Sequence, residues 1–165
     1  MRAEALGNDV VLLEPLSVEH AEEMAPVLAD ARLYQFIGGE PPSVADLHGR
    51  YAKQVSGHSP DGKQWWLNWV VRRRVVGSAA GYVQATVDPN GAELAWVIGV
   101  QHQGQGLARE SIRLVVDWLR GQGVSRLIAH VHPDHAASAA VARSAGLSPT
   151  GTVEDGEQGW EGSTA

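Results

Sequence analysis

Hydrophobic and polar positions change their period several times along this chain, and each change marks an element. Asp9-Val-Val-Leu-Leu-Glu-Pro-Leu16 is a short apolar run bounded by Asn8-Asp9 and Pro15, which predicts a strand. Ser17 follows as a helix N-cap with Glu19, His20 and Glu22 in the first turn, predicting a helix to about Leu28. Gly38-Gly39-Glu40-Pro41-Pro42 breaks the chain, and Ser43 with Asp46 three residues on opens a second amphipathic helix to about Val55. From Gln64 the period becomes two: Trp65, Leu67 and Trp69 fall on one side and Trp66, Asn68 and Val70 on the other, so both faces are largely apolar, as in a central strand. Val75 to Val87 reads as a second strand paired through the Arg72-Arg73-Arg74 corner, and Gly91 to Val100, after the Asp88-Pro89-Asn90 turn, makes a third.

After this meander the period returns to that of a helix. Gln101-His-Gln-Gly-Gln-Gly106 precedes a segment whose apolar positions Ala108, Ile112, Val115 and Leu119 recur at helical spacing, with Arg109, Arg113, Asp117 and Arg120 opposite. Gly121-Gln-Gly123 ends it. A strand over Arg126 to Val131, a small-residue helix over Asp134 to Ala145 closed by Gly146, and a last strand over Leu147 to Val153 complete the pattern.

Composition narrows what this pattern can be. The 165 residues, 44% of them apolar and 19% charged, suit one soluble domain spanning 1–165 with a full core. A net charge of −6 disfavours nucleic acid and anionic membranes as partners, because phosphate binding needs clustered positive charge. No cysteine is present, which removes disulfides, thiolate nucleophiles and thiolate metal sites. No stretch approaches the ~20 apolar residues of a membrane span, and a cytoplasmic location is expected. A homodimer is left open.

The strand–loop–helix junction Glu93 to Arg120 holds the chemistry. A helix leaves its first N–H groups without partners and concentrates partial positive charge there, so a glycine-containing entry loop is an anion site. Gly104 and Gly106 can turn their N–H groups inward, and small Ala108 permits close packing in the first turn. A Walker A loop would require a Lys here, and a dinucleotide fingerprint would require an early βαβ unit. Neither accounts for the meander.

Gln103-Gly104-Gln105-Gly106-Leu107-Ala108 matches Q/R-x-x-G-x-G/A, the signature of the GNAT superfamily of N-acetyltransferases, which the chain resembles from about Val10 to Val153. Glu93-Leu-Ala-Trp-Val-Ile98 looks like that family's fourth strand. His132-Pro-Asp-His-Ala-Ala-Ser138, ending Ser144-Ala-Gly-Leu147, is similar to its second motif, Asn-x-x-Ser followed by Gly-Phe. Ser138 and the Trp-rich strand are most like the ribosomal-protein-alanine acetyltransferase branch. The resemblance implies an α+β fold: a mixed, mostly antiparallel twisted sheet of six to seven strands flanked by about four helices.

The resemblance also implies acetyl-CoA as cosubstrate and no metal. Its pyrophosphate would lie on the N–H groups of Gln103, Gly104, Gln105, Gly106, Leu107 and Ala108, and its pantetheine arm against backbone near Val97 and Ile98, where the strand splays from its neighbour. His135 stands where the family has Asn, and Ala142 where it often has a tyrosine acid. Ser138 is then the hydroxyl placed to hydrogen-bond the sulfur or a pantetheine carbonyl. The acceptor would be a primary amine of a small molecule or a protein N-terminus. Such an amine arrives as ammonium and must lose a proton, for which Glu93, an acid in an apolar strand, is the candidate base, unless it merely starts the strand on a solvent-facing position. Tyr34, Trp65, Trp69 and Gln84 are candidate acceptor-pocket residues whose aromatic and acidic surroundings would favour a cationic amine; core packing is the competing role for the Trp residues.

Two other readings use the same residues. His130-Val-His132-Pro-Asp134-His135 spells H-x-H-x-D-H, similar to the metal motif of the metallo-β-lactamase fold, and would make a zinc hydrolase; no His follows His135 to complete its ligands. The departures at His135 and Ala142 would also suit a non-catalytic acetyl-CoA sensor.

Overall fold

The computed structural model describes Met1 to Ala165. Eight strands form one sheet: β1 (Leu6–Gly7), β2 (Val11–Pro15), β3 (Trp65–Arg73), β4 (Ala79–Asp88), β5 (Gly91–Ile98), β6 (Arg126–Val131), β7 (Ser148–Glu154) and β8 (Glu157–Ser163). Five helices flank it: α1 (His20–Val27), α2 (Tyr34–Ile37), α3 (Val44–Gln54), α4 (Leu107–Gly121) and α5 (Ala136–Ser144). The strand order is β1-β2-β3-β4-β5-β6-β8-β7, and β5 with β6 is the only parallel pair. This is the expected mixed, mostly antiparallel sheet, with one more strand and one more helix than the upper expectation. None of the helices is long and apolar enough to cross a membrane.

The extra elements are short or polar. The helix α2 is a single turn, and β8 carries one buried apolar residue, Trp160, in Glu-Gln-Gly-Trp-Glu-Gly-Ser, so it has no apolar alternation to reveal it. It inserts between β6 and β7 and pairs along the whole of β6, from Arg126↔Ser163 to Val131↔Gln158. The β3–β4 hairpin turns later than expected, with Arg72 and Arg73 still in β3 and the turn between Arg73 and Ala79.

Alternation along the strands divides the core. Leu67, Trp69 and Val71 pack with Ile112, Val115 and Leu119 of α4 in the larger cluster, while Val70 packs beneath α1 and α3 with Met24, Leu47 and Tyr51 in the smaller one. The predicted capping box is present: Asp46 N–H donates to Ser43 Oγ and Ser43 N–H to Asp46 Oδ2, both at 3.0 Å.

Two backbone features shape the sheet's centre. The β5–β6 ladder runs only from Ala92↔Leu127 to Leu94↔Ala129, after which the strands part while β5 continues to Ile98. On the other edge β4 lies close against β5, and a Cβ on Gly81 would sit 2.1 Å from the Val97 carbonyl oxygen, so only glycine fits there.

Candidate functional site

The parted strands open a groove walled by the end of β5, the loop before α4, and one face of α5. Its cavity measures about 370 Å³ and is lined by Trp96, Val97, Ile98, the Gln103–Ala108 loop apart from Gln105, His135 and Ser138. Gly104 and Gly106 adopt φ of 78° and 76°, the left-handed region that glycine enters without strain. No Cβ at either would meet another atom within 4 Å, so both border open space. Six successive N–H groups, Gly104 to Arg109, donate to no protein acceptor, and Gly106 caps α4 without a side-chain bond. Arg109, which forms no ion pair, and Arg32, held at 2.7 Å by Asp30, stand on the same wall. Unpaired amides at a helix start beside guanidinium groups suit a pyrophosphate, so the residues present fit a CoA-type cosubstrate.

The edge of β5 offers further free backbone. Gly99 N–H donates to Ala80 O at 2.7 Å, which sets the alternation: Glu93, Ala95 and Val97 turn their backbone groups to β4, and Ala92, Leu94, Trp96 and Ile98 turn theirs toward β6. Beyond Leu94 no β6 residue answers. Ile98 O accepts from Gln103 Nε2 at 3.0 Å, leaving the Trp96 N–H and C=O and the Ile98 N–H facing the gap. The expectation for Val97 therefore changes, because its backbone is turned toward β4 and it reaches the groove by its side chain.

A second cavity of about 250 Å³ adjoins the first and shares Phe36, Ile37, Trp96, Val97, His135 and Ser138 with it. It holds Glu93, whose Oε1 lies 3.6 Å from His130 Nε2, together with Glu157 from β8. Helix α2 places Phe36 over the junction, stacked on His135 at 4.6 Å and tilted against His132 at 5.2 Å. His135 Nε2 lies 3.3 Å from Ser138 Oγ. Burial, and then the neighbouring His132, hold the His135 pKa below the ordinary histidine value. Ala142, in place of the family's tyrosine, is fully buried and faces the core.

Among the four candidate acceptor residues, the structure moves three away from this centre. Trp69 is fully buried on the α4 side, donates from Nε1 to Glu4 O at 2.7 Å and meets Trp118 edge-on at 5.7 Å, because strand alternation sends positions 65, 67 and 69 to that face. Trp65 is exposed at the start of β3, beside Lys63 and Asp88, in line with Ala92 but on the face opposite to Glu93. Tyr34 Oη donates to Leu28 O at 2.7 Å and anchors α2 rather than lining either cavity. Gln84 stays on the Glu93 face, opposite Ala95, in a groove under α3. Phe36, His130 and Glu157 were missed: Phe36 lies on a one-turn helix, Glu157 on a strand with no apolar pattern, and His130 drew notice only as a metal ligand.

The histidine motif does not assemble into a ligand set. His130 lies beside Glu93, His135 stacks on Phe36, and His132 Nδ1 and Asp134 Oδ2 are 4.0 Å apart at the exposed β6–α5 turn. No three metal-ligating side chains converge anywhere in the structure. His130 is held in β6, whereas His132, Asp134 and His135 lie beyond the strand's end at Val131, so adjacency in sequence does not become convergence.

Comparison with known proteins agrees with this geometry. Residues 11–148 match the family described as an acetyltransferase (GNAT) domain. An acetyltransferase of the GNAT family from Bacillus anthracis superposes with a TM-score of 0.79 at 14% identity, covering 98% of this chain and 99% of its own. An acetyltransferase from Salmonella typhimurium that modifies the N-terminal serine of a 50S ribosomal subunit protein gives 0.78 at 17% identity, covering 97% and 98%. AAC(6')-Ib, solved with paromomycin and acetyl-CoA, gives 0.76 at 18% identity, covering 93% of each chain. No curated protein matches the chain by sequence.

Proposed function

The chain belongs to the GNAT superfamily of acetyltransferases, and from that premise we propose that it is a single-domain N-acetyltransferase that uses acetyl-CoA to acetylate the primary amine of a small molecule or a protein N-terminus. The observation that carries this reading is the meeting of two cavities at the β5–β6 gap: one with six unpaired amides, the other with a carboxylate. Acetyl-CoA supplies an activated acetyl thioester. The chain supplies the grip on its phosphates through Gly104 to Arg109, and free backbone at Trp96 and Ile98 for its pantetheine arm.

Each proton has a place to go. An incoming ammonium at the Glu93 end must lose a proton before its nitrogen can attack, and Glu93, with His130 beside it, is placed to accept that proton directly or through water. The Trp96 N–H faces the gap and can donate to the thioester oxygen as charge develops there. As the C–N bond forms and the C–S bond breaks, the departing thiolate needs a proton. The nitrogen gives up its second proton as it becomes an amide, and Ser138, on the shared wall and within reach of the His135 imidazole, can relay a proton to the sulfur, taking one up as it gives one so that its hydroxyl ends unchanged. The products are an amide and free CoA.

A thiol-release assay over small amines and short peptides tests this. Turnover with amines is expected; turnover with alcohols and not amines would overturn the acceptor class. Tight CoA binding with no turnover on any acceptor would make the chain a sensor.

A further inference from the structure

On the sheet face that carries Glu93, a third and larger cavity of about 690 Å³ opens between α3 and strands β3 and β4. Register places it relative to the reacting centre. Glu93 lies opposite Thr86 and Thr86 opposite Trp66; Ala95 lies opposite Gln84 and Gln84 opposite Asn68. Trp66, Asn68, Gln84 and Thr86 line the larger cavity, whereas Glu93 and Ala95 line the acceptor cavity. The two therefore adjoin across one strand spacing of about 4.8 Å.

Their charges are opposite. The acceptor cavity carries Glu93 and Glu157. The larger cavity carries Arg50 and Lys53, which follow Asp46 on one side of α3 at helical spacing. Neither basic residue forms an ion pair, and the Asp46 carboxylate is engaged by the Ser43 backbone, which holds its pKa down. Burial raises the Tyr82 pKa and the Arg50 guanidinium opposes that rise from nearby, while Tyr82 itself lines the acceptor cavity. An unpaired cation thus stands near the boundary of the two spaces, in a chain whose net charge is −6.

Resting on the acetyltransferase reading, we propose that the acceptor is an amine with an anionic group farther along, its ammonium end at Glu93 and Glu157 and its carboxylate at Arg50 and Lys53. The β3 wall of the larger cavity, Trp66 and Asn68, lies two strand spacings, about 10 Å, from Glu93 on β5, which an extended chain rising about 3.3 Å per residue crosses in three residues and so enters the cavity that carries Arg50 and Lys53. The acceptor that fits is a peptide N-terminus with Asp or Glu at its third or fourth position. A polycation would meet Arg50 and Lys53 as like charges, so the proposal narrows the cationic-amine expectation to an amine that also carries an anionic group.

The test uses the full chain with acetyl-CoA and peptides that differ only in carrying Glu, Ala or Lys at position three or four. Glu peptides should be favoured over Lys peptides by about tenfold in kcat/KM, chiefly through KM, and less at high salt. The variant R50E/K53E should reverse that order, a gain that misfolding cannot imitate. An ω-amino acid of matching span separates the sources: equal turnover assigns a small molecule, and weak turnover assigns a peptide. Equal rates for Glu, Ala and Lys peptides would overturn the anionic acceptor and leave the acetyltransferase standing. Absence of turnover on every acceptor would instead overturn the acetyltransferase. In that event calorimetry of the N-acetylated peptides with CoA-loaded protein still decides the groove, since binding without charge preference refutes it.

Discussion

Glu93 lines only the second cavity whereas His135 belongs to the wall shared by both, and the two should fail differently when changed. Gln at position 93 keeps the shape but cannot take a proton, so Glu93→Gln should lower kcat by about a hundredfold and leave the acetyl-CoA KM nearly unchanged. Steady-state kinetics over a pH series check this, and an unaltered pH–rate profile would move the role to another group. His135 offers a stability readout as well. Its folded pKa lies below the unfolded value near 6.5 because burial and then His132 disfavour the charged ring. Between those two values the unfolded chain binds more protons, so the His135 contribution is fully present above about pH 6.5 and is lost as pH falls through the folded value. His135→Gln should flatten that segment of the plot of Tm against pH and weaken acetyl-CoA binding, since it removes the Phe36 stack and changes the partner of Ser138.

Elements decide which residues of one sequence pattern share a fate. Trp65, Leu67 and Trp69 alternate together, yet Trp69 lies under α4 and Trp65 lies 43% exposed at the start of β3. Trp69→Ala should cost about 3–5 kcal/mol in denaturant unfolding, while Trp65→Ala should stay within about 1 kcal/mol. Neither should change the acceptor KM, because neither lines the acceptor cavity; a KM effect for Trp65→Ala would restore it to the site. The elements legible in the sequence were those with strong local signals: the Ser43 capping box, the α4 stripe of Ile112, Val115 and Leu119, and the Gly104–Gly106 turn, whose cradle is one contiguous segment. Illegible were α2, too short for a period, and β8, whose place is set by pairing with β6 rather than by its own residues. The proposed acceptor side draws on α2, α3, β4, β5, β6 and β8. No window of sequence contains it, and three of its four expected residues consequently lay elsewhere.

At the scale of the whole molecule, cosubstrate binding and folding are one equilibrium. The cradle exists only when β5 is held by β4, α4 is packed by the larger core and α5 closes the groove, so acetyl-CoA binds the native chain and not the unfolded one. A ligand at a hundredfold excess over its Kd adds about 2.7 kcal/mol, and a chain of this size gains about 2–4 °C per kcal/mol, so Tm should rise by about 5–10 °C. With the phosphates held by the amides of Gly104 to Arg109, pantetheine lacking them should raise Tm far less. Gly106→Glu separates the two contributions. Its left-handed φ of 76° makes a side chain costly by about 1–2 kcal/mol, while the Cβ itself meets no atom within 4 Å. The variant should therefore remain folded with a slightly lower Tm and show no rise with acetyl-CoA, because its carboxylate occupies the space where phosphate would sit. A wild-type Tm indifferent to acetyl-CoA, or a Gly106→Glu protein that still responds fully, would mean that these six amides do not serve the cosubstrate.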